Sequence, residues 1–213
     1  MTRNRAEILE IMRVFARENP NPQCELHFVN PYTLLVAVVH SAQSTDKGVN
    51  KATEALFKVA DTPQKMLDLG EEKLKEYIKT IGLFNNKAKN IIALSRQLVN
   101  NFGGEVPADR DTLTELAGVG RKTANVVMNV WYNQPTLAVD THVMRIARRL
   151  DFSRGKTPLE IENDLTAVLP TEMIKNTNHW LVLFGRYICK AQKPLCEKCP
   201  IYDFCHSQDK RLI

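Results

Sequence analysis

Four of the five cysteines crowd the C-terminal end, as Cys189, Cys196, Cys199 and Cys205. Four thiolates at such spacing can converge on one metal centre. Zinc modules usually pair their ligands in two short knuckles. Here only Cys196 and Cys199 form such a pair, and wider gaps flank it. That pattern suits a [4Fe–4S] cluster better, while leaving zinc open. An odd cysteine count concentrated at one end is not a disulfide scaffold of a short secreted chain, and it points to a reducing compartment. Cys24 stands apart and reads as a small buried apolar residue. The loop between the first two of the four carries Lys190 and Lys193, with Arg186 before it and Lys198 after it. The plainer account is a solvated charged loop; the functional one is a set of phosphate contacts.

A second constellation runs Leu113-Thr-Glu-Leu116-Ala117-Gly118-Val119-Gly120-Arg121-Lys122-Thr123-Ala124. Asp111 or Thr112 can cap a short helix before it. Gly118 and Gly120 permit positive φ in a tight turn, and a second helix follows at once. The free N–H groups and dipole at that helix start favour an anion, and the missing Cβ atoms let a phosphate approach the backbone. This is the physics of a helix-hairpin-helix clamp on a DNA backbone; a Gly-rich turn between two packed helices is the plainer account. Lys122 is the chemically interesting member. An ordinary lysine is almost wholly protonated near neutral pH, so a nucleophilic amine needs help, and a helix start and a neighbouring cation both favour the neutral form. Alone, Lys122 would read as a phosphate-binding or solvent-facing lysine.

The third constellation is Leu137-Ala138-Val139-Asp140-Thr141-His142-Val143. A short apolar run ends at Asp140 and a helix follows, so Asp140 reads first as an N-cap worth about 1 kcal/mol. A capping carboxylate stays ionised and fixed, and it can also stabilise positive charge developing on a sugar or orient a lysine amine. His142 either packs or binds a phosphate.

The elements that must position these groups are helical. Ile8, Ile11, Met12 and Phe15 share one face of an N-terminal helix that Pro20 and Pro22 end. Further helices are expected over 32–40, 46–60, 63–69, 71–79, 85–101, 112–116, 121–131, 141–150, 158–168 and 173–189, with no convincing alternating strand pattern. The fold class is all-α. The break Tyr132-Asn133-Gln134-Pro135 marks a candidate domain crossing. One weak internal echo exists: Lys87-Ala88-Lys89-Asn90-Ile91-Ile92 resembles Lys122-Thr123-Ala124-Asn125-Val126-Val127. Shared helix-start composition explains it better than a duplicated hairpin.

Composition sets the outer limits. With 213 residues, 44% hydrophobic and 25% charged, the chain has room for one large domain or two small ones. No apolar run approaches the roughly 18 residues that a membrane helix needs. No apolar stretch follows Met1-Thr2-Arg3-Asn4-Arg5, so a secretory signal is not expected. The net charge of +5 permits a polyanionic partner without demanding one.

Together these residues resemble the endonuclease III family of DNA glycosylases, in the superfamily named for a helix-hairpin-helix followed by a Gly/Pro-rich loop and an Asp. The resemblance extends over essentially the whole chain. It includes Ser41-Ala42-Gln43-Ser44-Thr45-Asp46, Val49-Asn50-Lys51-Ala52-Thr53 and Ile78-Lys79-Thr80-Ile81-Gly82-Leu83, then the hairpin, the Asp140 segment and the four cysteines, in order. It implies a two-lobed all-α fold: a six-helix domain over 23–134, and a cluster domain made of 1–22 with 135–213. Lys122 and Asp140 would then face a cleft from opposite walls.

The implied chemistry is base excision repair of oxidised or ring-saturated pyrimidines in double-stranded DNA, with strand cleavage at the abasic site. The damaged nucleotide is flipped out of the duplex, Lys122 attacks C1′, and β-elimination from the Schiff base nicks the strand 3′ to the site. Asp140 assists by electrostatics and proton handling. Gln43 and Leu83 would fill the space the nucleotide vacates; their plainer readings are a polar loop residue and a core leucine. Gly118, Val119, Gly120, Arg121, Thr123, His142, Arg186, Lys190 and Lys193 would contact DNA, and the four cysteines would hold a [4Fe–4S] cluster. A monomer in the cytoplasm, without a membrane partner, is the default.

The chain departs from the family pattern at two positions. Ala117 stands where the family usually has Pro, which would loosen the turn by a few tenths of a kcal/mol. His40 stands where an apolar residue is common, and in a lesion pocket it would alter lesion preference or pH dependence. Two rival functions remain at this level. An adenine or mismatch glycosylase would usually lack the hairpin lysine, and adenine-specific members carry a further C-terminal domain, which is not expected where only eight residues follow Cys205. A non-catalytic DNA-binding or electron-transfer protein would need no matched lysine and carboxylate.

Overall fold

Eleven α-helices and one short 3-10 turn, and no strand, are found among the described residues of the computed structural model, which cover residues 3–211. Met1, Thr2 and the last two residues, on which the readings of the two chain ends partly rest, lie outside them.

The chain forms two units, one of residues 25–134 and the other of residues 1–24 with 135–213. At the centre of the first is α2 (Pro31–Ser41), buried from Tyr32 to His40. A helix apolar on every side has to be an interior helix. Asn30 and Thr33 form a capping box at its start, with proline in the first turn. Packed against α2 are α3 (Asp46–Val59), α6 (Phe84–Phe102) and α8 (Arg121–Val130). The short α4 (Pro63–Leu69) and α5 (Glu71–Ile78) lean on α6, and α7 (Arg110–Thr114) packs on α8.

In the second unit α1 (Arg5–Glu18) packs on α11 (Thr171–Tyr187), and α9 (Thr141–Arg149) packs on both α10 (Pro158–Val168) and α11. The stripe Ile8, Ile11, Met12 and Phe15 is fully buried there with Val143, Ile146, Leu181 and Phe184. Phe15 and Phe184 stack at 4.9 Å between ring centroids. α1 ends at Glu18, one residue short of the pair Asn19-Pro20, as the steric demand of proline on its predecessor requires. The carbonyl of Asn19 then accepts the indole N–H of Trp180 at 2.8 Å.

The hairpin helix differs from expectation. α7 starts at Arg110 rather than Thr112, and its cap is Asp109, not Asp111 or Thr112. Asp109 Oδ1 accepts both the Thr112 N–H at 2.8 Å and the Thr112 hydroxyl at 2.6 Å. One carboxylate thus holds two donors and starts the helix early, leaving Glu115 and Leu116 to the turn.

Candidate functional site

The hairpin turn between α7 and α8 depends on one glycine for its shape. Gly118 has φ +76°, and a Cβ there would stand 2.7 Å from the Asn90 side chain. Both facts make any other residue costly there. Gly120 has φ −94° and serves as the extended N-cap of α8, so the positive φ expected for it is not found. Open space surrounds its missing Cβ. What a glycine offers there is an unshielded backbone N–H at a helix start, with room for an anion. Val119 is buried as the anchor of the turn, Arg121 and Lys122 are exposed on the first turn of α8, and Thr123 is half-buried.

Ala117 makes a contact that proline could not. Its N–H donates to Gln97 Oε1 at 2.8 Å, and Gln97 Nε2 donates to the Glu115 carbonyl at 3.1 Å. Gln97, on α6, therefore pins the turn from both sides, and the looseness expected from the missing proline is offset.

On the same α6 a second exposed feature begins. Leu83, the N-cap of α6, has φ 59° and is 57% exposed. It is not the core leucine of the plainer reading. Gln43, exposed on the loop after α2, has φ 56°. A left-handed conformation costs a non-glycine residue roughly 1–2 kcal/mol. Gln43 and Leu83 each hold such strain, on loops that meet where a Cβ on Gly82 would stand 3.6 Å from the Gln43 carbonyl.

His40 is not exposed to any approaching group. It is fully buried at the end of α2 with both ring nitrogens unpartnered. Burial first, and then the nearby Lys87 cation, push its pKa down to about 3. It stays neutral at working pH.

Asp140 is the N-cap of α9, and its Oδ1 accepts from the His142 and Val143 N–H groups, both at 2.8 Å. Leu137, Ala138 and Val139 are buried just before it and anchor the approach. The carboxylate is therefore fixed and only half-buried. His142 is partly buried, its Nδ1 at 3.2 Å from Arg145 Nη2, where Gly185 lets α11 approach α9.

Cys189, Cys196, Cys199 and Cys205 line one pocket at the end of α11. The short turn Cys196–Lys198 was not anticipated; it aims Cys196 and Cys199, with the Cys199 N–H donating to the Cys196 carbonyl at 3.1 Å. Burial raises the Cys199 thiol to about 11, and its backbone bond at Ile201 only partly offsets this before the charges of the other three thiols raise it further. Burial raises the Cys189 thiol as well, and thiols held up in this way need a metal to keep them as thiolates. Among the described residues no three His, Cys, Asp or Glu side chains close on one point as a single ion requires. The four sulfurs share the lining of one pocket, where a sulfur-rich centre could be held. Cys24 is half-buried and belongs to no such group.

Arg149, which sequence reasoning missed, holds this segment. Its Nη1 donates to Cys189 Sγ at 3.4 Å and to the Lys190 carbonyl at 2.6 Å, its Nη2 to the Ala191 carbonyl at 3.0 Å, and its Nε to Asp209 at 2.8 Å. Its only advance signal was a basic pair, Arg148 and Arg149, in the last turn of a helix. Lys190 and Lys193 are exposed on the loop so held, Lys193 at φ 50°, and Arg186 is half-buried on α11.

Comparison with known proteins agrees with this geometry. A model of the HhH-GPD superfamily of base excision DNA repair proteins matches residues 36–171, and one of the iron-sulfur binding domain of endonuclease III matches 189–205. Endonuclease III of Rickettsia conorii is 55% identical over 92% of this chain and 93% of its own length. Endonuclease III of Escherichia coli K12 is 51% identical over 97% and 98%. A solved structure of a trapped endonuclease III–DNA covalent intermediate superposes with a TM-score of 0.92 at 45% identity, covering 96% of each chain. With this agreement along nearly its full length, the chain belongs to the endonuclease III family of helix-hairpin-helix base excision DNA repair proteins.

Proposed function

We propose that Lys122 and Asp140 carry the reaction of this DNA glycosylase and abasic-site lyase, acting on oxidised or ring-saturated pyrimidines. The observation that carries the proposal is the hairpin. Gly118 and Gly120 shape a bare helix start, and Lys122 stands exposed on its first turn.

The reaction follows from those groups. A lesion that stacks poorly costs less to flip out of the duplex, which supplies part of the selectivity. The neutral Lys122 amine attacks C1′ as the bond to the base breaks, and the base leaves with the electron pair and takes up a proton. The nitrogen gives up one proton, the C1′–O4′ bond breaks as O4′ takes up a proton, and a protonated Schiff base forms at C1′. That cation acidifies C2′; loss of its proton sends an electron pair toward C3′ and expels the 3′ phosphate, cutting the strand. Water then releases Lys122. Asp140, fixed through Oδ1, stabilises the positive charge as it develops.

Gly118, Val119, Gly120, Arg121 and Thr123 would grip the backbone beside the lesion. His142, Arg186, Lys190 and Lys193 would add contacts to double-stranded DNA, and Gln43 and Leu83 would fill the vacated space. The cofactor is a [4Fe–4S] cluster, and we assign Cys189, Cys196, Cys199 and Cys205 as its ligands. When bound it supplies a compact inorganic cross-link that fixes the basic loop. No described helix is long and apolar enough to cross a membrane; four cysteines spaced as metal ligands support a reducing, cytoplasmic setting.

Borohydride reduction on a duplex with one abasic site tests the reading. The wild type should form a covalent adduct and Lys122→Ala should not. Binding without adduct or nick in the wild type would overturn the lyase mechanism.

A further inference from the structure

Gln43 and Leu83 lie on different loops, yet both hold left-handed backbone, and one residue touches the support of each. Lys87, on the first turns of α6, is buried to 5% exposure. Its ammonium donates to the His40 carbonyl at 2.8 Å, the Ala42 carbonyl at 2.6 Å and the Ser44 hydroxyl at 3.1 Å. An ammonium has three N–H donors, and here three acceptors, on both sides of Gln43, take them all. The backbone N–H of the same Lys87 donates to the Leu83 carbonyl at 3.1 Å. The two loops also meet directly, since a Cβ on Gly82 would stand 3.6 Å from the Gln43 carbonyl.

We infer that Lys87 is a positioning residue that braces the Gln43 loop against the start of α6, so that Gln43 and Leu83 meet the duplex as one preformed unit. The inference rests on the reading that these two side chains fill the space left by the flipped nucleotide. The location of the charge explains why a lysine serves. Its ammonium sits on the last carbonyls of α2, the negative end of a helix dipole, where a cation is favoured. The acceptors are backbone groups and a hydroxyl, so the brace fixes backbone shape. A loop already in its bound shape does not have to be ordered when DNA arrives, and that lowers the cost of opening the duplex.

A merely structural lysine would affect all activities alike, whereas a brace for the two filling residues matters only where a base stack must be opened. The test therefore uses two substrates. One is a duplex with a single ring-saturated pyrimidine, read by single-turnover excision. The other is a single strand with an abasic site, read by borohydride trapping. Lys87→Met keeps length and removes the donors. It should slow duplex excision tenfold or more and leave single-strand trapping within twofold. Adding Gln43→Ala to it should slow duplex excision by less than a further twofold, because the brace acts through that loop. Equal slowing on both substrates, unchanged duplex excision, or fully additive effects would overturn the inference. If Gln43→Ala and Leu83→Ala are themselves without effect on the duplex, the space-filling reading has failed, and Lys87 with it. If they slow excision and Lys87→Met does not, only the brace has failed. Should Lys87→Met not fold, Ser44→Ala removes one acceptor alone. A two- to fourfold slowing on the duplex only would support the brace, and unchanged rates would overturn it.

Discussion

The starts of α6 and α8 carry nearly the same string, Lys-x-x-Asn followed by two β-branched residues, yet their lysines have opposite fates. Lys87 is buried and bonded three times over; Lys122 is exposed. The register explains the difference. α6 begins at Phe84 and α8 at Arg121, so Lys87 comes two residues later in its helix than Lys122 does, about 200° around the axis. The buried stripes differ accordingly: Lys87, Ala88, Ile91, Leu94 and Leu98 on α6, but Ala124, Asn125, Val127 and Met128 on α8. Equivalent letters therefore point to different faces, and the echo reflects helix-start composition rather than a repeated device. A short motif tells which residue is present; the buried stripe around it tells what that residue can do.

The contrast can be broken most severely at Lys122. Lys122→Ala should lower excision on the order of a thousandfold or more, as loss of a nucleophile does. An exposed side chain contributes little to stability, so its unfolding free energy should move by less than about 0.5 kcal/mol in denaturant titration. Lys87→Met should behave in the opposite sense, losing roughly 1–3 kcal/mol of stability because the buried His40 carbonyl and the part-buried Ala42 carbonyl lose their donor. If Lys122→Ala unfolds the protein and Lys87→Met does not, the assignment of roles is reversed.

The two hairpin glycines offer the next comparison. Gly118→Ala forces a Cβ into φ +76° and into Asn90, so it should cost about 2–4 kcal/mol in thermal melts, by strain and overpacking together. Gly120→Ala meets open space at φ −94°, and melting should barely change. Duplex affinity in a salt titration should fall instead, if a phosphate approaches there.

His40 gives a pH signature independent of catalysis. Its folded pKa of about 3 lies below the ordinary 6.5 of a histidine. The unfolded chain therefore takes up a proton that the folded chain refuses. Stability is full above about pH 6.5 and falls as pH drops toward 3, by about 2 kcal/mol at pH 5. His40→Leu should flatten this part of the stability–pH curve, and an unchanged slope would remove His40 as its source. The smallest effect is expected at Gln97→Ala, which leaves the Ala117 N–H and the Glu115 carbonyl without their side-chain partner. About 1 kcal/mol should be lost, readable by chemical denaturation.

Much of this molecule was legible in its residues. The helix periodicities placed nearly every element to within a few residues, because an apolar stripe at 3.6-residue spacing has little choice but to be a buried helix face. The cysteine spacing, the Gly-x-Gly turn and the apolar run into Asp140 declared themselves for similar reasons. Each is a local device whose chemistry lies within a few neighbouring positions. Where expectation failed, a competing local bond had won, as at Asp109, or a glycine served its lack of a side chain rather than a special φ, as at Gly120.

The tertiary structure alone decided what happens between distant positions. Nothing in the order of residues announces that Gln97 replaces a proline across 20 positions, that Arg149 grips the loop of Cys189 across 40, or that Lys87 ties the two strained loops together. These contacts join side chains to backbone carbonyls, amides and single sulfurs. Every residue carries a carbonyl, so no residue type marks the one that will accept. Sequence by itself determined the class of fold and named the candidate reactive groups. Packing decided which donors reach which acceptors, because that depends on the helix faces that burial turns toward one another.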